Sequence, residues 1–292
     1  MLNLRLLFVA LVWGINFSLV KFALEDFHPL GFTVLRFLLA SCFLFCLVLA
    51  SRESLFIARQ DRFAVVKLGF IGITLYNLFF IYGLKFTTAA NSALLISLSP
   101  LFGALIQAAS GRERPNLRIL SGLAFASFGV FLIIASHQGG LSFSSESVIG
   151  DLLTLCATIT WALYTIMARP LLERYSAITV TTYAMAAGSV LLLPLSMAGL
   201  IGQSWAAISV PSWSVLAFAA FIAAGVAYAF WYQGVKQIGV TRTMAYHYLM
   251  PIAAVLFAAL AFNEPITVTQ IAGGIAILSG VYLVQGKAKI RS

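Results

Sequence analysis

Ten apolar segments, each long enough to cross a lipid bilayer, follow one another along this 292-residue chain. A helix rises about 1.5 Å per residue, so about 20 residues cross a hydrocarbon core roughly 30 Å thick. Lipid offers no partner to backbone N–H and C=O groups, and the segments lack alternating polarity, which excludes a barrel. The sequence therefore predicts an all-α integral membrane protein with ten transmembrane helices. The predicted spans are Leu4–Leu24, Leu30–Ala50, Phe63–Leu84, Ala89–Ala109, Leu117–Ser136, Val148–Ala168, Ala177–Ile201, Trp213–Gly234, Arg242–Phe262 and Ile266–Gln285.

Basic residues are concentrated on one side of the predicted bilayer. Of the 18 Lys and Arg residues, all but Lys21, Arg36 and Lys85 fall on the side that holds both chain ends. This is the positive-inside pattern of cytoplasmic loops. We therefore expect a cytoplasmic N-terminus, a cytoplasmic C-terminus and a multi-pass protein of the plasma membrane. The net charge of +9 is explained by topology, so no nucleic-acid partner is expected.

The cysteines and the first span need separate interpretation. Cys42, Cys46 and Cys156 are odd in number and lie inside spans, so we expect buried, unpaired thiols and no disulfide framework. The first span lacks a clear cleavage site and is expected to be retained. The sequence contains no motif for a metal or a nucleotide, so no cofactor is expected.

The two halves of the sequence match each other at a constant offset, which becomes slightly shorter near the start of each half. A register kept over roughly sixty residues indicates an internal repeat, with residues 1–140 and 141–292 as two five-helix units. The matched pairs are Gly83/Gly234, Lys85/Lys236, Pro100/Pro251, Glu113/Glu264, Gly122/Gly273, Gly129/Gly280 and, at the shorter offset, Trp13/Trp161 and Thr33/Thr181. Residues 137–147, rich in polar and small side chains, are predicted to link the two units.

Five spans is an odd number, so the two units are predicted to face opposite ways in the bilayer. Secondary transporters use such inverted repeats, with the substrate near the midplane and alternating access to the two sides. The architecture favours transport by analogy, because a fold alone does not fix a function.

Prolines and glycines recur at equivalent positions of the two units. Pro100 and Pro251 lie in the middle of spans four and nine, where each removes a backbone hydrogen bond and is expected to bend the helix. A packing kink and a joint that serves alternating access are equally compatible with this position. Small residues on one side of spans five and ten predict close helix packing, either between these two helices or across a homodimer interface.

Several motifs together resemble a known family. They are the sequence WGINF from Trp13, the sequence RFLLA from Arg36, the proline-to-glutamate spacing in each unit and the paired glycines of the last span in each unit. In their order, these motifs resemble EamA-type members of the drug/metabolite transporter superfamily over the whole chain. The resemblance implies a carrier of the bacterial inner membrane that exports amino acids, related metabolites or drugs. It also implies a central cavity lined by spans one, three, four, six, eight and nine.

Amphipathic aromatic and amide side chains within the spans are the main candidates for substrate binding. Aromatic walls suit moderately apolar or zwitterionic solutes, and the polar atoms can hydrogen-bond a carboxylate. Interfacial anchoring or simple packing is the alternative, and it is strongest for Tyr82, Trp231 and Tyr232, which are predicted near span ends. The candidates are Trp13, Asn16, Tyr76, Asn77, Tyr82, Trp161, Tyr164, Tyr228, Trp231 and His247.

Two ionisable residues inside spans leave alternatives open. His247, with an ordinary pKa of about 6.5, is suited to proton exchange, and a hydrogen-bonded structural histidine is at least as compatible with the sequence. Arg36 lies a third of the way into span two. It is interpreted first as a structural residue, because it belongs to the motif of the resemblance, and second as a site for a substrate carboxylate.

The favoured prediction is a secondary exporter of amino acids or related metabolites, with a small-molecule substrate, the lipid bilayer as its surroundings and proton coupling as an option. Efflux of amphipathic drugs is the alternative, weakened by the lack of a carboxylate at mid-span. A membrane enzyme is remote, because the sequence shows no paired intramembrane aspartates, no HExxH helix and no nucleophile with its base.

Overall fold

Ten long helices form the protein, and they confirm the predicted all-α membrane architecture. The computed structural model describes residues 3–87, 89–111, 115–135, 147–262 and 265–286. Within these ranges, ten helices are long and apolar enough to cross a bilayer. They are α1 (Leu4–Ala23), α2 (Pro29–Ala50), α3 (Arg59–Phe86), α4 (Asn91–Ala109), α5 (Leu117–Ala135), α6 (Val148–Arg174), α7 (Ala177–Ile201), α8 (Val210–Ile238), α9 (Val240–Ala261) and α10 (Val268–Gln285). The predicted link at 137–147, apart from Ser147, and the repeated pair Glu113 and Glu264 lie outside the described residues.

Three helices are longer than the sequence predicts. Helix α3 begins at Arg59, before the predicted start at Phe63, while α6 continues to Arg174 and α8 runs from Val210 to Ile238. Hydropathy marks the part of a helix that crosses lipid, whereas backbone hydrogen bonding continues into the polar ends. Helix α8 continues beyond Tyr232 to Ile238, so Trp231 and Tyr232 lie inside the helix, and their position near a membrane interface stays a prediction.

The outer surface of the bundle is apolar. Large hydrophobic side chains are exposed all along it, among them Leu105, Phe125, Leu195 and Leu278. A water-soluble protein of this size does not present so much apolar surface, and a bilayer covers it here. The three cysteines are free, as predicted, but the expectation that they are buried is wrong, because all three lie exposed on this surface.

Helices α5 and α10 pack closely through their glycines. A Cβ atom at Gly129 would lie 2.5 Å from the carbonyl oxygen of Gly273, and one at Gly273 would lie 2.6 Å from that of Gly129. Gly122 and Gly280 form a second reciprocal contact of the same kind. The small residues thus serve packing within the chain, which is the first of the two predicted alternatives. A homodimer stays a prediction.

The remaining helices pack in a pattern that repeats between the halves. Helix α1 packs against α8 and α9, and α6 packs against α3 and α4. Helices α3 and α8 each contain a π-helical segment, Phe70–Leu75 and Phe218–Val226. Both segments end at equivalent positions, because Leu75 and Val226 are separated by the same offset that pairs Gly83 with Gly234.

Helices α4 and α9 are interrupted directly before their prolines. In α4, Leu98 separates the segment that ends at Ser97 from the one that contains Pro100. In α9, a 3-10 turn over Tyr246–Leu249 precedes Pro251. Both prolines thus lie at breaks in helical hydrogen bonding, as expected for a residue without an N–H. Their contribution to gating stays a prediction.

Two polar contacts join the halves at opposite ends of the bundle. In the first, named the Asp26 latch, the Asp26 carboxylate accepts hydrogen bonds of 2.6 Å from the hydroxyls of Ser209 and Ser212. In the second, named the Asp61 latch, Arg174 forms an ion pair of 2.6 Å with Asp61, and the Tyr175 hydroxyl donates to the same carboxylate at 2.7 Å. Each latch connects the end of one helix to the start of another helix in the other half.

The Asp26 latch is expected to weaken in acid. Its hydrogen bonds, first from the side chains of Ser209 and Ser212 and then from the Ser209 backbone, lower the pKa of Asp26. A carboxylate whose pKa is lowered by folding stabilises the fold fully above its ordinary pKa of about 3.9. This stabilisation is lost as the pH falls through the lowered pKa. Thermal unfolding should therefore show Asp26→Asn less stable than the wild type at pH 6, with the gap closing towards pH 3. A gap that stays constant would contradict this assignment.

Candidate functional site: an aromatic cluster between the two halves

Eight aromatic rings meet in the middle of the bundle, where helices of the two halves come together. Trp161 of α6 lies at their centre, with ring centroids 5.4 Å from Trp13 of α1 and 5.3 Å from Tyr76 of α3. Its ring also lies 5.7 Å from Tyr228 and 5.8 Å from Trp231, both in α8. Helices α1, α3, α6, α8 and α9 supply this aromatic cluster, which consists of Trp13, Tyr76, Trp161, Tyr164, Tyr228, Trp231, Tyr232 and His247.

The π-helical segments deliver two of these rings. Tyr76 directly follows the segment in α3, and Tyr228 follows the segment in α8 after Ala227. A π turn inserts an extra residue into the helix, which rotates the residues after it relative to those before it. Gly72, within the first segment, lies so close to the ring of Tyr164 that a Cβ atom would overlap it. Local backbone irregularity thus sets the approach between α3 and α6.

Three rings of the cluster are held by hydrogen bonds. Trp13 donates from Nε1 to the carbonyl oxygen of Ala223 at 2.8 Å, and Trp231 donates to the hydroxyl of Thr165 at 3.2 Å. His247 lies with Nδ1 3.1 Å from the hydroxyl of Ser99, and its ring stacks on Trp161 at 5.7 Å and 20°. His247 is thus hydrogen-bonded and buried, which fits the structural interpretation. Its use in proton exchange stays a prediction.

Trp161 differs from the other two tryptophans of the cluster. Its side chain is 3% exposed, and its Nε1 group has no hydrogen-bond partner among the residues that the structure describes. A buried donor without a partner lowers the stability of a fold by about 1–3 kcal/mol, so such groups are uncommon in proteins. Where one occurs, it needs an explanation, and a bound ligand is one. The indole of Trp161 can therefore donate to a solute that enters the cluster.

A second group of side chains, here called the polar group, borders the aromatic cluster. It consists of Asn16, Arg36 and Asn77. The Nη2 atom of Arg36 donates to Oδ1 of Asn77 over 3.4 Å, and its guanidinium lies 4.4 Å from the ring centroid of Phe37. Asn16 lies one helical turn from Trp13, and its Oδ1 is buried with no partner within the described ranges. These atoms offer both donors and acceptors next to the rings.

The structure brings most of the predicted site residues together. Nine of the ten candidates lie in the aromatic cluster or the polar group, and Tyr82 does not, because it is 42% exposed on the outside of α3. Sequence reasoning gave too little weight to Tyr232, which is buried with its ring 5.1 Å from Tyr164. It also missed Ser99 and Thr165, whose hydroxyls orient cluster rings. The spacing of Tyr228 and Tyr232, four apart on one helix face, was the available signal.

A concavity opens away from the aromatic cluster, at the end of the bundle where α1 begins. It has a volume of about 570 Å³ and is lined by the basic residues Arg169, Lys236 and Arg242, with Glu173 among them. Basic walls attract anions, so this cavity presents a positive surface to solutes that approach the bundle from that end.

The chemistry of the cluster favours binding over catalysis. The rings offer apolar faces for a side chain and π faces for a cation, and the neighbouring atoms offer hydrogen bonds. Among the described residues, no three His, Cys, Asp or Glu side chains are grouped as metal ligands. The arrangement can hold a small amphipathic solute between the two halves of the bundle.

Known proteins resemble this chain along its full length. The sequence pattern of the EamA-like transporter family matches residues 2–135 and, separately, residues 148–285. The protein named "Uncharacterized transporter YyaM" of Bacillus subtilis (strain 168) is 30% identical over 290 residues, which cover 98% of this chain and 94% of that protein. A "Probable amino-acid metabolite efflux pump" of Salmonella typhimurium is 27% identical over 288 residues, covering 95% and 92% of the two chains.

A solved crystal structure shares the fold. It superimposes with a TM-score of 0.85 over 97% of this chain and 96% of that chain, at 20% sequence identity. At this identity the likeness concerns the arrangement of helices alone.

Proposed function

Because the chain belongs to the EamA-like transporter family, we propose that it is a secondary transporter that exports amino acids or related small metabolites by alternating access. It is a multi-pass protein of the plasma membrane and a transporter of the EamA type. The direction, the solute and the mechanism are the proposed parts. The name of the Salmonella relative, "Probable amino-acid metabolite efflux pump", supports the choice of amino acids as the solute.

The observation that carries the proposal is the position of the aromatic cluster. Its rings come from both halves, with Trp13 and Tyr76 on one side and Trp161, Tyr228 and His247 on the other. A solute bound there contacts both halves, so relative motion of the halves changes which face of the membrane it reaches. Amphipathic drugs are a weaker alternative, because a cationic drug gains most from a buried carboxylate. The carboxylate of Asp151, near the start of α6, already accepts hydrogen bonds from Thr87 and Asn91.

The two latches support the inverted repeat. Asp26 and Arg174 are related by the shorter offset, the one that pairs Trp13 with Trp161. Asp61 and Ser212 are related by the main offset of the repeat. The Asp26 latch and the Asp61 latch therefore join equivalent positions at opposite ends of the bundle. In alternating access, one such contact opens when the solute leaves on that side, while the other stays closed.

Breaking the Asp26 latch and breaking the Asp61 latch are expected to shift access to the solute site towards opposite sides of the membrane. Each latch contributes a charge-assisted hydrogen bond, so its loss should change the ratio of outward-open to inward-open protein about threefold or more. The reporter is Asn16→Cys in a background without the three native cysteines, labelled by a maleimide that does not cross membranes. From the outside, Asp26→Asn should raise the labelling rate and Asp61→Asn should lower it. Equal changes in both variants would contradict the assignment of the latches.

Counterflow in proteoliposomes tests the proposed function. Vesicles loaded with one unlabelled amino acid receive the radiolabelled compound outside, over a panel of apolar and polar amino acids, with and without a pH gradient. We expect saturable counterflow of at least one panel member. Protein-free vesicles and vesicles with the Trp161→Ala variant serve as controls. Unsaturable flux, or none for any panel member, would overturn the proposal.

A further inference from the structure

We propose that Arg36 is the anion-recognition residue of the solute site, so that the transporter selects carboxylates and tolerates loss of the amino group. The inference rests on the proposed function and deepens it. Arg36 is half-buried within α2, about two helical turns from the start of that helix at Pro29. At about 1.5 Å per residue, its Cα lies roughly 10 Å along the helix.

The guanidinium points into the bundle. It hydrogen-bonds Asn77 of α3, which itself lies well inside the end of that helix at Phe86. Asn77 directly follows Tyr76 of the aromatic cluster in the chain. An arginine that extended towards the membrane surface would not reach Asn77, so snorkelling does not explain its position.

Arg36 has few partners for its charge. The 3.4 Å hydrogen bond to Asn77 is long, and Nε is buried without a partner in the described part of the chain. Among the described residues, ion pairs join Arg169 to Glu173 and Arg174 to Asp61, and neither includes Arg36. Charged residues inside membrane proteins ordinarily pair with one another, and a guanidinium carries five N–H donors suited to a carboxylate. A solute carboxylate would supply the missing partner.

Asn77 is fixed so that it presents an acceptor to Arg36. Its Nδ2 donates to the carbonyl oxygen of Ile73 at 2.6 Å, within the π-helical segment of α3. This bond leaves Oδ1 facing the guanidinium and holds Arg36 at the edge of the aromatic cluster. Asn77 thus positions Arg36, and Arg36 is free to donate its remaining N–H groups to a solute.

The polar atoms near the rings treat the two ends of an amino acid differently. A carboxylate meets a positive charge at Arg36, whereas an ammonium meets neutral acceptors such as Oδ1 of Asn16 and the π faces of the rings. Removing the carboxylate charge of the solute should therefore cost more than removing its amino group. The basic cavity at the far end of the bundle also favours the approach of anions.

The test uses L-leucine counterflow with three competitors: L-leucine, its 2-oxo acid 4-methyl-2-oxopentanoate, and L-leucinamide. In the wild type we expect the inhibition constant of the 2-oxo acid to lie within about threefold of that of leucine. We expect the amide to compete at least about tenfold more weakly than leucine, because it loses a charged hydrogen bond. Thermal stabilisation by the same compounds is measured alongside. An amide that competes and stabilises as well as leucine would overturn the inference.

Two variants separate recognition from structure. Arg36→Gln removes the charge, and Asn77→Asp gives Arg36 a permanent counter-ion at nearly unchanged size. Both should reduce the discrimination between acid and amide to within about threefold when equal amounts of monodisperse, folded protein are compared. If Arg36→Gln lowered transport of all compounds equally and kept the tenfold discrimination, Arg36 would be structural and the inference would fail. Stabilisation by acids without any counterflow would instead contradict the proposed function alone.

Discussion

Replacing Trp161 by alanine is expected to lower the kcat/KM of counterflow at least about 30-fold, the largest effect of any single change in the site. Its ring contacts Trp13, Tyr76, Tyr228 and Trp231, so its loss opens the middle of the aromatic cluster. Truncating a buried tryptophan also costs about 3–5 kcal/mol of stability. Transport must therefore be normalised to the amount of monodisperse, folded protein in the vesicles.

Two further variants make this result interpretable. Trp161→Phe keeps an aromatic ring and loses the unpartnered Nε1 donor, so we expect a loss of about three- to tenfold. Trp205→Ala removes a tryptophan that is 42% exposed, remote from the cluster, and should transport at the wild-type rate. If Trp161→Ala retained transport within twofold of the wild type, the aromatic cluster would not be the solute site.

Replacing Gly273 by leucine is expected to prevent normal folding, whereas the same change at its neighbour Gly274 should be tolerated. A Cβ atom at Gly273 would lie 2.6 Å from the carbonyl oxygen of Gly129 and 2.8 Å from Ile133. Backbone atoms of α5 cannot move away without separating the two helices, so we expect the substitution to lower the free energy of unfolding by about 3 kcal/mol. A Cβ atom at Gly274 meets nothing within 4 Å.

The matched pair is measured by expression of monodisperse protein and by its midpoint of thermal unfolding. Both variants add the same apolar side chain at adjacent positions of α10, so any difference between them comes from packing against α5. We expect a clear decrease in yield and unfolding temperature for Gly273→Leu alone. Similar behaviour of the two variants would show that the close approach of α5 and α10 does not stabilise the fold.

Much of the fold follows from physical constraints that are visible in the sequence. Lipid offers no partner to backbone groups, so ten apolar segments without alternating polarity predict ten helices. The offset that relates Trp13 to Trp161 also predicts that these two residues occupy equivalent places, and their rings lie 5.4 Å apart. The glycines of α5 and α10 were predicted to pack because small residues permit close approach.

Other features depend on three-dimensional packing that no local pattern records. The π-helical segments before Tyr76 and Tyr228 consist of ordinary apolar residues, with no proline to mark them. The latches were missed because equivalent positions hold different residues, Asp26 against Arg174 and Asp61 against Ser212. Tyr232 received too little weight because hydropathy placed the end of α8 too early.

The most direct measurement of the central claim, that solute binds at the aromatic cluster, is intrinsic fluorescence. Of the five tryptophans, Trp13, Trp161 and Trp231 belong to the cluster. The other two, Trp205 and Trp213, lie outside the cluster and stack on each other with ring centroids 6.3 Å apart. A Trp205→Phe/Trp213→Phe variant therefore reports on the cluster alone. We expect a saturable change in emission on addition of the transported amino acid, half-complete near the KM of counterflow. Saturable transport with unchanged emission would contradict this claim.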